Sequence, residues 1–144
     1  MVSVKKITAQ DTYPLRIEVL RKNIDLPHEF EGDIDDSTIH VGVYDENQIV
    51  CIGTFMENGI DDLKGKQYQL RGMASSPEAR GKGYGKLLLS FATNELKKLN
   101  VDFLWCNARE VAVKFYEKNE FIIIGERFIN KAGPHYKMYK PIKK

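Results

Sequence analysis

Apolar and polar residues alternate from Val2 to Ile7 with the period of two expected of a strand that buries one face. Asp11-Thr12 followed by Pro14 has the form of a helix start leading into Leu15, Val19 and Leu20, so the chain opens β-α. Ile24 to Ser37 is acidic and irregular, contains Pro27 and Gly32, and predicts a mobile loop or a short helix. Thr38 to Tyr44 and Gln48 to Met56 are two strand patterns on either side of Asp45-Glu46-Asn47, a hairpin signal. A loop with Gly59 and Gly65 spans Glu57 to Lys66, and Gln67 to Ala74 returns to a strand pattern.

Beyond Gly85 the period changes. Leu87, Leu88, Phe91, Ala92, Leu96 and Leu99 recur at helical spacing, which puts Gly83 and Gly85 in the first turn of a helix. Val101 to Cys106 is a short apolar run of the kind a buried strand makes. A second helix follows: Asn107 with Glu110 three residues later has the form of a capping box, and Ala112, Phe115 and Tyr116 share a face. Phe121 to Ile124, extended by Phe128 and Ile129, predicts another strand, and Tyr136 to Tyr139 the last. This order predicts an α/β fold with one mixed sheet and helices on both faces.

Length and charge narrow the function classes. A chain of 144 residues is one ordinary domain, here taken as residues 1–144, large enough for a core without disulfides or metal. Its 22 basic and 20 acidic residues give a net charge of +2, which argues against nucleic acid or an anionic membrane as partner and for a small molecule. Cys51 and Cys106 lie in apolar strand-like runs without metal-ligand spacing, as buried reduced thiols of a cytoplasmic protein do. No signal peptide, apolar stretch of spanning length or internal repeat appears.

The chemistry concentrates at Arg80-Gly81-Lys82-Gly83-Tyr84-Gly85, between a strand and a helix. A helix N-terminus presents unpaired N–H donors and the positive end of the macrodipole, and glycines admit a ligand to that backbone, so the expected ligand is an anion, foremost a phosphate. A Walker loop would need Ser or Thr where Leu87 stands, and a dinucleotide fingerprint a third glycine where Lys86 stands. The spacing Arg80-x-x-Gly83-x-Gly85, preceded by Pro77-Glu78-Ala79, instead resembles the acetyl-CoA loop of the GNAT N-acetyltransferases. Ala112-x-x-Phe115-Tyr116-x-Lys118, followed by Phe121, is similar to a second segment of that family at a comparable distance downstream. Two departures stand out. Glu120 replaces the usual glycine before Phe121, which suggests that Asn119 takes the left-handed cap, and Arg109 stands where many relatives have Asn.

The resemblance implies the GNAT fold, a mostly antiparallel sheet splayed at its centre, and acetyl-CoA as cofactor. It implies that the pyrophosphate rests on the N–H groups of Arg80, Gly81, Lys82, Gly83, Tyr84 and Gly85. The pantetheine would pair like an added strand with Met73, Ala74 and Ser75. It further implies that a backbone N–H such as that of Ala74 stabilises the developing oxyanion, and that Tyr116 serves as general acid to the departing thiolate. For the general base the candidates are Glu57 and His135, the latter in Gly133-Pro134-His135, where some relatives carry a similar Pro-His pair. Arg71 is either a contact for a substrate carboxylate or an exposed strand residue. Residues 24–37 are placed to shape an acceptor site. The acceptor expected is a primary amine of a small molecule or peptide, with a homodimer left open. A non-catalytic acyl-CoA-binding module and a nucleotide-binding domain are the alternative readings.

Overall fold

The computed structural model describes residues 1–142; residues 143 and 144, which the expected domain also takes in, lie outside the described residues. The chain opens with β1 (Val2–Ile7) and α1 (Ala9–Leu15), and α1 runs on as five residues of π-helix, Arg16–Leu20. The start of α1 lies earlier than the sequence suggests. Thr8 is the cap, its hydroxyl accepting from the Asp11 N–H while the Asp11 carboxylate accepts from the Thr8 N–H, so Pro14 falls inside the helix rather than at its first turn.

Next come β2 (Ile39–Asp45) and β3 (Gln48–Glu57), joined by Glu46-Asn47 at φ +50° and +67°, the backbone of a two-residue hairpin turn. The chain continues through β4 (Gln67–Ser75), α2 (Tyr84–Lys98), β5 (Phe103–Arg109), α3 (Val113–Lys118), β6 (Ile122–Ile123), β7 (Phe128–Asn130) and β8 (Gly133–Pro141). These strands make one eight-stranded sheet in the order β1-β2-β3-β4-β5-β8-β6, with β7 also on β8. Its pairings are antiparallel except for β4 with β5.

α2 and α3 cover one face of the sheet, over a core that includes Val43, Phe55, Leu88, Leu96, Leu104 and Met138. α1 and its π-helical extension cover the other, where Leu15 and Leu20 pack with Ile52 and Ala74. Along α2 the buried stripe is Tyr84, Leu88, Leu89, Ala92 and Leu96, whereas Leu87 and Leu99 are exposed. Asn107 is not a helix cap: β5 stays paired with β8 as far as Arg109, which keeps Asn107 extended, and Glu110 instead ion-pairs with Arg127. The run from Phe121 to Ile129 is two short strands rather than one, separated by Gly125 at φ +80°.

α3 ends in a Schellman motif, with Phe121 N–H donating to the Tyr116 carbonyl and Glu120 N–H to that of Glu117. The left-handed residue is Glu120, at φ +73°, not Asn119. Asn119 keeps a negative φ and spends its side-chain amide on the Phe115 carbonyl at 2.8 Å.

Candidate active site

β4 and β5 pair only from Gln67–Phe103 to Leu70–Cys106 and then part. The cause is in β4. Ile52 faces Ala74 but Thr54 faces Arg71, so β4 carries one residue more than β3 across this stretch, a bulge that bends the strand away from β5. Gly72 lies in it at φ +60°, where a Cβ would stand 2.8 Å from the Phe30 ring, so both backbone and packing require glycine. Past Leu70 the β5 side of β4, along Met73, Ala74 and Ser75, has no ladder partner among the described residues. A cavity of about 460 Å³ opens in the gap, lined by residues of β4, β5 and β8 and by the segment after α1.

Tyr116, 8 % exposed, reaches this cavity from α3 with its hydroxyl 3.7 Å from Met73 Sδ. The ring is held edge-on by Phe115 and Phe121, both at 5.2 Å between centroids, and the Phe121 contact is the hydrophobic partner of the Schellman turn. Burial pushes the phenol well above its ordinary pKa, so Tyr116 is a neutral O–H donor across the physiological range.

His135 lines the same cavity from β8, 5 % exposed and stacked on Phe128 with ring centroids 5.6 Å apart. Its Nδ1 lies 2.8 Å from the Gly133 carbonyl. A carbonyl can only accept, so the neutral ring carries its proton on Nδ1 and keeps a lone pair on Nε2. Glu57, the other candidate base, stands exposed opposite Tyr68, in the stretch of β4 that pairs with β5, and does not line the cavity.

At the other end of β4, a 3₁₀ turn (Pro77–Ala79) leads into the glycine run. Gly83 caps α2 at φ +82°, and Gly81 has the same φ; a Cβ on either would meet nothing within 4 Å. Leu87 N–H is the first to find a helical acceptor, the Gly83 carbonyl. Among the described residues the N–H groups of residues 81–86 make no hydrogen bond, so the start of α2 holds a row of open donors facing free space. Gly85 serves packing, since a Cβ there would lie 2.8 Å from the Phe115 ring. The Tyr84 side chain turns inward to donate to Asp45, which leaves only its backbone to the loop. Arg80 is exposed and has no ion pair among the described residues, in a hollow shared with Pro77, Ile17 and Lys22.

The sequence reading missed the support beneath the cavity's roof. Arg16, fully buried, donates to both Asp33 oxygens at 2.7 and 3.0 Å, to Thr54 Oγ1 and to the His28 carbonyl. Asp33 also accepts from the Phe30 N–H, and His40 bridges Thr54 Oγ1 and the Asp33 carbonyl. Burial acts to raise the Asp33 pKa, but the hydrogen bonds from Arg16 and Phe30 and the charges of Arg16 and His40 outweigh it and hold the carboxyl below its ordinary value. This network pins residues 28–33 to the sheet and sets Phe30 over the gap, its ring 3.8 Å from the Arg16 guanidinium and 4.5 Å from that of Arg71. The available signal was Arg16 itself, which shares the buried helical stripe of Thr12 and Leu20. Cys51 and Cys106 are both buried and free, as expected.

Residues 7–142 match the family model of the acetyltransferase (GNAT) domain. The chain is 31 % identical to the uncharacterized N-acetyltransferase YitI of Bacillus subtilis (strain 168), over 99 % of this chain and 98 % of that protein. Among solved structures, Escherichia coli ElaA superposes with a TM-score of 0.81 at 18 % identity, covering 97 % of this chain and 99 % of ElaA. An aminoglycoside 6'-N-acetyltransferase complexed with coenzyme A gives 0.77 at 16 % identity, covering 99 % of this chain and 98 % of that one. Among the described residues no helix is long and apolar enough to cross a membrane. With its splayed β4–β5 pair, its open glycine loop and the family match over nearly the whole length, the chain belongs to the GNAT N-acetyltransferase family.

Proposed function

We propose that this chain transfers an acetyl group from acetyl-CoA to a primary amine of a small molecule or peptide. The observation that carries the reading is the gap between β4 and β5, which places an unpaired strand edge, the Tyr116 hydroxyl and the His135 ring around one cavity beside a row of open N–H donors. The residues present fit the cofactor. The bare donors of residues 81–86 and the space over Gly81 and Gly83 suit a pyrophosphate, Arg80 adds a cation, and the free side of Met73–Ser75 can pair with an amide-bearing arm. When bound, acetyl-CoA supplies the activated acetyl thioester.

The chain's own groups then divide the proton work. His135 Nε2 takes the proton that an ammonium acceptor must lose before its nitrogen can attack. Tyr116, kept neutral by burial, donates to the departing sulfur. A backbone N–H on the open side of Met73–Ser75 stabilises negative charge on the carbonyl oxygen; the Ala74 N–H expected for this lies two residues before Ser76, whose N–H donates to the Val50 carbonyl, and so turns towards β3. Tyr116 in the cavity favours an enzyme over a module that only binds acyl-CoA. The test is calorimetric titration with acetyl-CoA and CoA, for which micromolar affinity is expected, followed by thiol release across a panel of amines. ATP binding without CoA binding would defeat the reading.

A further inference from the structure

The cavity is electrostatically one-sided. Its wall carries Arg21, Arg71, Arg109 and Lys131 and no Asp or Glu. Arg16, just behind it, is paired with Asp33, but among the described residues neither Arg21, Arg71 nor Arg109 is within ion-pair distance of a carboxylate. Arg21 and Arg109 both donate to the Leu20 carbonyl, at 3.3 and 3.1 Å, and Arg21 also to that of Pro27, so the end of the π-helical segment partly holds them. The Arg71 side chain has no hydrogen bond among the described residues, and the Phe30 ring lies 4.5 Å from its guanidinium. Burial, then Arg109, Arg71 and Arg16, depress the Arg21 pKa; burial, then Arg16, depress that of Arg71 against the opposing charge of Asp33.

Such a wall is costly for an empty chain and pointless for a neutral or cationic acceptor. Arginine forks with free donors match the planar, bidentate acceptor pattern of an oxyanion. Resting on the acetyltransferase reading, we infer that the acceptor amine carries an oxyanion, a carboxylate or a phosphate, which Arg71 and Arg109 receive with Arg21 and Lys131 beside them. The phosphates of the cofactor have their own open donors at residues 81–86; Arg21 lines both the cavity and the hollow beside Arg80, so the acceptor's anion falls first to Arg71 and Arg109.

The test uses four amines of similar length and different tail: 1-aminobutane, 4-aminobutanoate, 3-aminopropyl phosphate and 1,4-diaminobutane. Acetyl-CoA is titrated first, and a chain that does not bind it fails the acetyltransferase reading itself. Dissociation constants of the four amines are then measured on the CoA-saturated chain, with thiol release recorded alongside. The anionic members are expected to bind at least tenfold tighter than 1-aminobutane, the diamine weakest, because a charge-assisted hydrogen bond is worth roughly ten- to hundredfold. The better of the two anionic members identifies the oxyanion. In R71Q and R109Q that advantage is expected to fall severalfold while acetyl-CoA affinity holds. Equal binding of neutral and anionic members, preference for the diamine, no measurable binding of either anionic member, or loss of acetyl-CoA affinity in R71Q would each overturn the inference.

Discussion

Asp33→Asn changes one atom type in the network that holds the roof of the cavity. The carboxylate accepts from Arg16 at 2.7 and 3.0 Å and from the Phe30 N–H at 2.8 Å, while an amide offers one accepting atom and turns an NH₂ donor towards groups that are themselves donors. One buried donor is thereby stranded, at about 1–3 kcal/mol, and the Arg16 guanidinium, with 0 % exposure, loses its counter-charge. Together these put the loss near the ~3–5 kcal/mol typical of a broken buried pair, a large part of the ~5–15 kcal/mol that holds a domain together. For a chain of this length that is a fall in Tm of roughly 10–15 °C by calorimetry at neutral pH.

The sign of the pH dependence follows from the lowered Asp33 pKa. The pair's contribution is fully present above the unfolded carboxyl value of ~3.9 and is lost as pH falls through the lower folded value, so the gap between wild type and variant stays constant down to about pH 5 and narrows progressively below about pH 4. Adding R16M removes the stranded charge and should recover part of the loss. Because residues 28–33 carry Phe30 over the gap, acceptor KM should rise in D33N more than acetyl-CoA affinity falls. A drop of less than about 3 °C at neutral pH, or a gap that does not narrow between about pH 5 and pH 3, would refute the argument.

Tyr116→Phe keeps both edge-on ring contacts and loses only a 3.7 Å approach to Met73 Sδ, so Tm and CoA affinity should hold while kcat falls by about a hundredfold; equal kcat values would return Tyr116 to a packing role. With the phenol pKa raised by burial, no loss of wild-type rate below about pH 10 should trace to Tyr116 ionisation, which a pH profile of the two proteins checks. H135A should lose most rate near neutral pH and regain it at alkaline pH, where free amine accumulates; a pH-independent loss would point to structure instead. Gly83→Val forces a β-branched residue to φ +82° and fills the open space above the loop, so acetyl-CoA affinity by calorimetry should weaken at least tenfold.

Much of this was legible because it is local. The strand periods, the Asp45-Glu46-Asn47 hairpin and the change to helical spacing after Gly85 each follow from a few neighbouring residues, and the structure keeps them with ends moved by up to three positions. The misreadings share a cause. Asn107 with Glu110 is a plausible cap until β8 pairs with β5 through Arg109, and Asn119 is the better left-handed residue until the Schellman bonds place that conformation one position later. The buried Arg16–Asp33 pair joins residues 17 positions apart, and neither side chain announces its partner in the sequence.

The site itself arises where regular structure gives way. A β4 without its bulge would go on pairing with β5 past Leu70 and satisfy the strand edge that the cavity needs open. A capping side chain at position 83 would consume the first donors of α2, whereas glycine at φ +82° turns the chain and supplies no acceptor. The π-helical segment acts at the third corner. Its wide last turn ends on the Leu20 carbonyl, which takes hydrogen bonds from Arg21 and Arg109 and so gathers two cations beside Arg71. The strand edge and the helix start are thus left open, while the helix end gathers cations; on the proposed reading these suit an amide-bearing arm, a pyrophosphate and an acceptor's anion. That division explains why a chain with a net charge of only +2 can concentrate cations in one gap, and why charge in the acceptor rather than its size is the first variable to test.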